Sequence, residues 1–301
     1  MDAATLAFDR HRPRLIGIAW RMLGSRADAE DVVQDAWLRW YEVATDALAS
    51  AEAWLVTVVT RLSIDRLRSA RVQREHYIGT WLPEPELTDA PHTPEQLLER
   101  ADDVSVAFLA VLERLAPEAR AAFLLREVFD ADYEEIAATL GKSEAACRQL
   151  VHRAKAQVQE GRPRFHVTRE THERLLRAFA EAAARGSMPE LRALMADDAE
   201  LLSDGGGKVP SFGKVLAGAQ RLAQLYFALW RREGSAVRME LVEINGEPGL
   251  LRFIGDTLES AQTFEIDRTD AGERIVRIHT QRNPDKLARV ASRLSAKKLA
   301  G

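Results

Sequence analysis

The chain is poor in the features that mark several classes of protein. Among its 301 residues there is one cysteine, Cys147, which excludes an internal disulfide framework and agrees with a reducing compartment. No apolar run approaches the roughly 18 residues of a membrane span. The N-terminal MDAATLAFDRHRPR carries charges where a secretory signal needs an apolar core, so a cytoplasmic protein without a membrane partner is expected. Positive charge is not in excess either. The formal net charge of -4 argues against a protein that coats nucleic acid indiscriminately. Metal-ligand clusters, cofactor motifs, internal repeats and long low-complexity tracts are missing from the sequence, and neither a metal nor a cofactor is expected. The glycine-rich DGGGK at 204–208 lacks the G-x-x-x-x-G-K-[ST] spacing of a phosphate-binding loop. Val209 follows Lys208 where a hydroxyl for magnesium would stand, and Pro210 intervenes before any helix.

What is present is organised by charge and periodicity. Residues 61–74 hold five arginines against one acid, Asp65, and residues 142–155 hold Lys142, Arg148, Arg153 and Lys155 against Glu144. Two basic patches on an acidic chain suggest site-specific binding to a polyanion. Residues 6–75 carry apolar positions at helical spacing. Residues 77–103 break that pattern with prolines and acids and read as a linker. Helical periodicity returns at 104–160. Beyond 168, helical patterns at 168–185, 188–196 and 214–232 give way to the strand-like runs RMELVEIN, GLLRFI, TLESAQTFEI and ERIVRIHTQ. Helices followed by a meander of strands suggest an α+β domain.

The segment DYEEIAATLGKSEAACRQLVHRAK reads as two helices joined at Gly141. Asp132 and Glu135 have the spacing of a capping box, and Ser143 can cap the second helix. Cys147, Leu150, Val151 and Ala154 fall on one apolar stripe, which makes Cys147 a packing residue. Arg148, Gln149 and His152, flanked by Arg153 and Lys155, fall on the opposite face. Arginine and glutamine can each make two hydrogen bonds to a base edge, so the pair suits a helix-turn-helix in the major groove. A solvated helix hairpin is the plainer reading. Upstream, Asp28, Asp31, Asp35 and Glu42 line an acidic helix face beside Gln34. That face is either solvated or a dock for a basic partner. In EAWLVTVVTRLSIDRLRSAR, the residues Trp54, Leu55, Val58 and Leu62 are expected to be buried. Arg61 and Arg68 share a face around Asp65, and Arg66 and Arg71 widen the positive surface. Such a helix can hold a phosphate backbone or pair with the acidic residues of 84–103.

Together, AEDVVQDAWLRWY, AWLVTVVTRLSIDRLRSAR and LERLAPEARAAFLLREVFDADYEEIAATLGKSEAACRQLVHRAKAQV resemble an extracytoplasmic function (ECF) sigma factor, a specificity subunit of bacterial RNA polymerase. YIGTWLPEP at 77–85, DGGGK at 204–208 and NPDKL at 283–287 resemble signatures of the subgroup with a fused SnoaL-like domain. The resemblance implies a multidomain chain: two all-α sigma domains and a C-terminal α+β SnoaL-like cone. Region 2 would span 1–75, a linker 76–103, the region 4 helix-turn-helix 104–160 and the regulatory cone 168–301. It implies core RNA polymerase and promoter DNA as partners and no reaction of the chain's own. Asp28, Asp31, Gln34 and Asp35 would dock on the polymerase. Arg61, Asp65, Arg66, Arg68 and Arg71 would engage the -10 element. Lys142, Ser143, Arg148, Gln149, His152, Arg153 and Lys155 would read the -35 element. Ser63 stands where many members carry asparagine.

Regulation in cis is implied to run through Trp81, Leu82, Pro83, Glu84 and Pro85 of the linker, Asp204, Gly205, Gly206, Gly207 and Lys208, and Asn283, Pro284, Asp285, Lys286 and Leu287. On this reading DGGGK is a contact point near WLPEP. The free chain is expected to be monomeric. SnoaL-like folds tend to leave an apolar cavity that could hold a small molecule. They also occur as enzymes with an Asp/His pair, for which Asp204, Asp256 and His279 are the candidates, although their spacing defines no pair. A helix-turn-helix regulator with a ligand-sensing C-terminal domain is the alternative.

Overall fold

The computed structural model describes residues 3–42, 48, 50–74, 77, 79–88, 105–161 and 167–300. The chain divides into two compact units, one of residues 1–76 and 109–161 and one of residues 77–108 and 162–301.

The first unit is helical. Helices α1 (Ala3–Leu23), α2 (Arg26–Tyr41) and α3 (Ala51–Arg74) pack together, and α4 (Val106–Leu112) leads into α5 (Pro117–Glu127), α6 (Tyr133–Leu140) and α7 (Glu144–Gly161). Ser25 starts α2 by accepting a hydrogen bond from the Asp28 N–H at 3.2 Å. Helix α3 buries Leu55, Val59, Ile64 and Leu67, while Trp54, Val58 and Leu62 are half-buried. Its apolar face is wider than the expected stripe because α1 and α2 cover one side and α5 and α6 the other. Arg120 of α5 is buried and donates to the Met22 carbonyl (2.6 Å) and the Glu113 carboxylate (2.7 Å). This ties α5 to the end of α1.

The second unit is a cone of helices α8 (Arg169–Arg185), α9 (Met188–Leu194) and α10 (Ala219–Glu233) on one face of a mixed six-stranded sheet. The strands are β1 (Met195–Asp204), β2 (Leu216–Ala217), β3 (Val237–Ile244), β4 (Glu247–Ile254), β5 (Thr257–Thr269) and β6 (Gly272–Gln281), in the order β2-β1-β6-β5-β4-β3, with β1 and β6 parallel. Phe179, Tyr226 and Phe264 form the aromatic centre of the helix-facing core, with ring centroids 4.9 and 5.1 Å apart. A second cluster of Leu87, Val106, Ile244, Leu251, Phe253, Ala261, Leu287 and Val290 lies on the other face, where helix α11 (Pro284–Ala300) and residues 77–88 pack.

Three elements differ from the sequence reading. Residues 195–204 form a strand in which Asp197 and Asp198 are both exposed, and a register irregularity between Met195 and Glu200 interrupts its period of two. The helix expected from 214 begins only at Ala219, because Gly218 sits at φ +104° and Leu216–Ala217 pair with β1. Residues 284–300 form a helix, an element absent from the predicted ones.

Candidate nucleic-acid interface and a buried carboxylate clamp

The helix pair α6–α7 is built as its sequence dictates. Asp132 accepts from the Glu135 N–H at 2.8 Å while the Glu135 carboxylate accepts from the Asp132 N–H at 3.2 Å, closing a capping box. Gly141 takes the left-handed φ +64° that ends α6, a conformation that costs a side-chain-bearing residue about 1–2 kcal/mol. Ser143 accepts from the Ala146 N–H and starts α7. Cys147, Val151 and Ala154 are buried and Leu150 half-buried, and burial pushes the Cys147 thiol up. Ser143, Arg148, Gln149, His152 and Arg153 are exposed. Arg148 rests against Glu144 (2.8 Å) and over the Tyr133 ring (4.6 Å), and Lys155 pairs with Glu127 (2.6 Å). Exposed pairs of this kind contribute about 0.2–1 kcal/mol, so both side chains are readily recruited by another anion.

The arginines of α3 are more firmly occupied. Arg61 donates from Nε to the Thr139 carbonyl (2.9 Å) and from Nη2 to the Ala138 carbonyl (3.1 Å), capping the C-terminal end of α6. The Thr57 and Thr139 hydroxyls lie 3.1 Å apart beside it. Arg68 pairs with Glu118 (2.7 Å) and Asp65 (3.4 Å), and Lys142 pairs with the same Glu118 (3.0 Å). The hydrogen bond from Lys142, opposed by burial and helped by the charges of Lys142 and Arg68, holds the Glu118 carboxyl below its usual range. Arg66 turns toward α2, with Asp28 at 2.5 Å and Asp31 at 3.2 Å. Arg71 stands in α3 with its side chain outside the described residues, as do most of the acids of 84–103. Ser63 is wholly buried. On α2, Asp31, Gln34 and Asp35 are exposed, and so are Leu38 (57%) and Tyr41 (67%) on the same face.

In the second unit the three glycine- and proline-marked stretches meet at one carboxylate. Asp204, at the end of β1, is fully buried. It accepts from the Tyr77 hydroxyl (2.6 Å), the Leu82 N–H (2.9 Å), the Gly206 N–H (3.0 Å), Gln281 Nε2 (3.2 Å) and Lys286 Nζ (2.8 Å). Burial pulls this carboxyl up, but Lys286, Tyr77 and the Leu82 N–H outweigh it and hold the group below the usual carboxylate range. Lys286 also donates to the Leu82 carbonyl (2.6 Å) and lies 4.1 Å from the centre of the Trp81 ring.

Gln281 donates to the Leu82 and Pro83 carbonyls. Leu82, Pro83 and Pro85 are buried, and Glu84 is half-buried. Asn283 donates to the Tyr77 hydroxyl (3.2 Å) and accepts from the Asp285 N–H (3.1 Å) at the start of α11. Leu287 is buried, Pro284 is exposed, and Lys208 pairs with Asp285 at 2.5 Å on the surface. Gly206, at φ +63°, passes so close to Asn283 that a Cβ there would stand 2.3 Å from its amide nitrogen. A Cβ on Gly205 would stand 2.3 Å from the Val209 carbonyl oxygen, and Gly207 takes φ +72°. The glycines of DGGGK thus serve close approach and a turn.

Past the clamp, residues 86–88 run along the edge strand β3. The Asn245 N–H donates to the Glu86 carbonyl (2.8 Å), the Glu86 N–H to Asn245 Oδ1 (2.9 Å) and the Thr88 N–H to the Glu243 carbonyl (3.0 Å).

The family model described as Sigma-70 region 2 matches residues 7–72, and that described as Sigma-70, region 4 matches residues 105–158. The ECF RNA polymerase sigma factor SigJ of Mycobacterium tuberculosis is 38% identical over 246 residues, 80% of this chain and 78% of the relative. The chain belongs to the ECF RNA polymerase sigma factors. A second relative in this family, the probable ECF sigma factor SigI of M. tuberculosis, is 31% identical over 290 residues, 95% of each chain. The crystal structure of M. tuberculosis SigJ aligns with a TM-score of 0.72 at 32% identity over 93% of this chain and 97% of that one. The fold of this ECF sigma factor is therefore two helical sigma domains and a C-terminal SnoaL-like cone, and the alternative of a stand-alone helix-turn-helix regulator is not favoured.

Within this sigma factor the acid/base candidates of the cone stay apart. His279 pairs through Nε2 with Glu265 (2.7 Å) rather than with an aspartate, Asp204 is taken up by the clamp, and Asp256 is exposed in a turn. Sequence reasoning missed Glu118 and Thr139 as the groups that hold the α3 arginines. It also missed Tyr77 and Gln281 as clamp members. Tyr77 opens the YIGTWLPEP stretch and Gln281 stands two residues before NPDKL, so adjacency to those motifs was the available signal. For Glu118 and Thr139 there was none, since their partners are 50 and 78 residues away in the chain.

Proposed function

We propose that this sigma factor directs core RNA polymerase to its promoters with α3 and α7, and that its cone restrains it in cis by holding the linker. The observation that carries the second part is the convergence of WLPEP, DGGGK and NPDKL on Asp204. On this reading Asp28, Asp31, Gln34 and Asp35, with the exposed Leu38 and Tyr41, face the polymerase. Arg148, Gln149 and His152 face the bases of the -35 element, and Arg61, Arg66, Arg68 and Arg71 face the -10 element.

On this reading the arginines of α3 are held back from DNA. Arg61 and Arg68 are engaged by α5 and α6, so promoter binding competes with Glu118 and with the carbonyls of Ala138 and Thr139. The chain forms no bond itself. The polymerase makes the RNA, in the cytoplasm. Run-off transcription with core polymerase tests both parts. The full chain should give promoter-specific transcripts, and removing residues from 168 onward should change their yield while both helical domains stay folded. Unchanged yield would contradict regulation in cis.

A further inference from the structure

The cone holds a cavity that neither promoter recognition nor the clamp uses. Its volume is about 170 Å³, and an apolar cavity of about 150 Å³ takes a benzene-sized ring. One wall is apolar, made by Leu225 and Leu229 of α10, Leu201 of β1 and Phe212 of the loop after DGGGK. Its charged lining groups are Arg252 of β4, Glu259 of β5 and Arg282, which follows β6.

These charges do not balance. Glu259 accepts from Arg252 (2.8 Å) through one oxygen and from Arg282 (2.5 Å) through the other. Burial pulls the Glu259 carboxyl up, but Arg282 and Arg252 outweigh it and hold it below its usual range, so the acid is ionised. Two guanidinium groups against one carboxylate leave a single positive charge. Hydrogen-bond donors are in surplus as well. Arg252 is 2% exposed, yet its Nη2 has no partner, and the Nε of Arg282 is likewise enclosed and unpaired. A buried guanidinium donor without an acceptor is destabilising. An anion carrying one negative charge beside the two guanidinium groups balances the charge.

We propose that this cavity is a binding site for a small monocarboxylate with a compact apolar body. The carboxylate meets Arg252 and Arg282, and the apolar body lies against Leu225, Leu229 and Phe212. A dianion such as phosphate would overcompensate the charge and leave the apolar wall uncovered, and a cation would meet a like charge. The site lies close to the clamp. Successive residues of a strand point to opposite faces, so Ser203 and Thr280 line the cavity while Asp204 and Gln281 hold the linker. Arg282 follows Gln281 and donates its backbone N–H to the Asp204 carbonyl at 2.7 Å.

Calorimetric titration of the full-length protein with benzoate tests the proposal, with benzylammonium as the probe of similar size and opposite charge. Benzoate is expected to bind saturably at one per chain and to raise the melting temperature, with benzylammonium at least about tenfold weaker, a difference of about 1.4 kcal/mol. Leu229→Trp fills the cavity from a half-buried helix position and should weaken benzoate at least about tenfold without changing the far-UV circular dichroism. Arg252→Gln should do the same. If that variant does not fold, Leu229→Trp decides alone. Absence of saturable benzoate binding at millimolar concentrations, equal binding of benzylammonium, or full benzoate binding by folded Leu229→Trp would overturn the site.

Discussion

Replacing Asp204 with alanine removes the acceptor of five donors and leaves the Lys286 ammonium buried without its carboxylate. Breaking a buried pair from one side costs about 3–5 kcal/mol, and urea unfolding of Asp204→Ala should show a loss of that order. Because the folded-state carboxyl sits below its usual range, the stability it contributes is fully present above the unfolded value of about 4. It is lost only as pH falls through the lower folded value. Between pH 8 and 5 the clamp contribution is therefore flat. His172 behaves differently. Burial first, and then Arg169, lower its pKa to about 4, and its Nε2 is shut from water and unpaired. The unfolded chain binds this proton near pH 6.5, so stability declines as pH falls from about 6.5 toward 4 and levels off below. His172→Gln should flatten that slope in urea titrations at pH 7 and 4.5.

At the scale of elements, legibility in the sequence depended on how local the determinant is. The α6–α7 hairpin was fully legible because Asp132, Glu135, Gly141, Ser143 and the stripe through Cys147 each act on groups within about two turns along the chain. The same holds for the exposure of Arg148, Gln149 and His152. Strand β1 was not legible, because its irregularity at Asp197 and Asp198 breaks the alternation that marks strands. Nor was the occupation of Arg61 and Arg68, which depends on Thr139 and Glu118 from helices far along the chain. Arg148→Ala should weaken binding to the -35 element by roughly 1–3 kcal/mol at one base position if its guanidinium takes two bonds to a guanine. Binding measured across single-base variants of the element separates that outcome from a uniform loss, which would make Arg148 a phosphate contact. Glu118→Gln removes the shared partner of Arg68 and Lys142 at a stability cost of no more than about 1 kcal/mol, the pairs being part-exposed. Promoter binding by the variant in complex with core polymerase should tighten. Weaker binding would mean that Glu118 orders these side chains for DNA instead of withholding them.

For the whole molecule, the family and the helices-then-sheet order were readable from sequence. Residues 77–88, expected from their prolines and acids to be part of a linker, pack on the cone, capping the end of β1 and extending the edge at β3. On the proposed reading, this hold on residues 77–88 is the means by which the cone acts in cis. The most direct test is run-off transcription by core polymerase with the full chain and with Asp204→Ala on the same promoter template. The account predicts core-dependent transcripts from one start site with both proteins. The clamp variant should be at least about fivefold more productive, the low end of a coupling between two sites. Equal yields, or no core-dependent transcript from either protein, would contradict it.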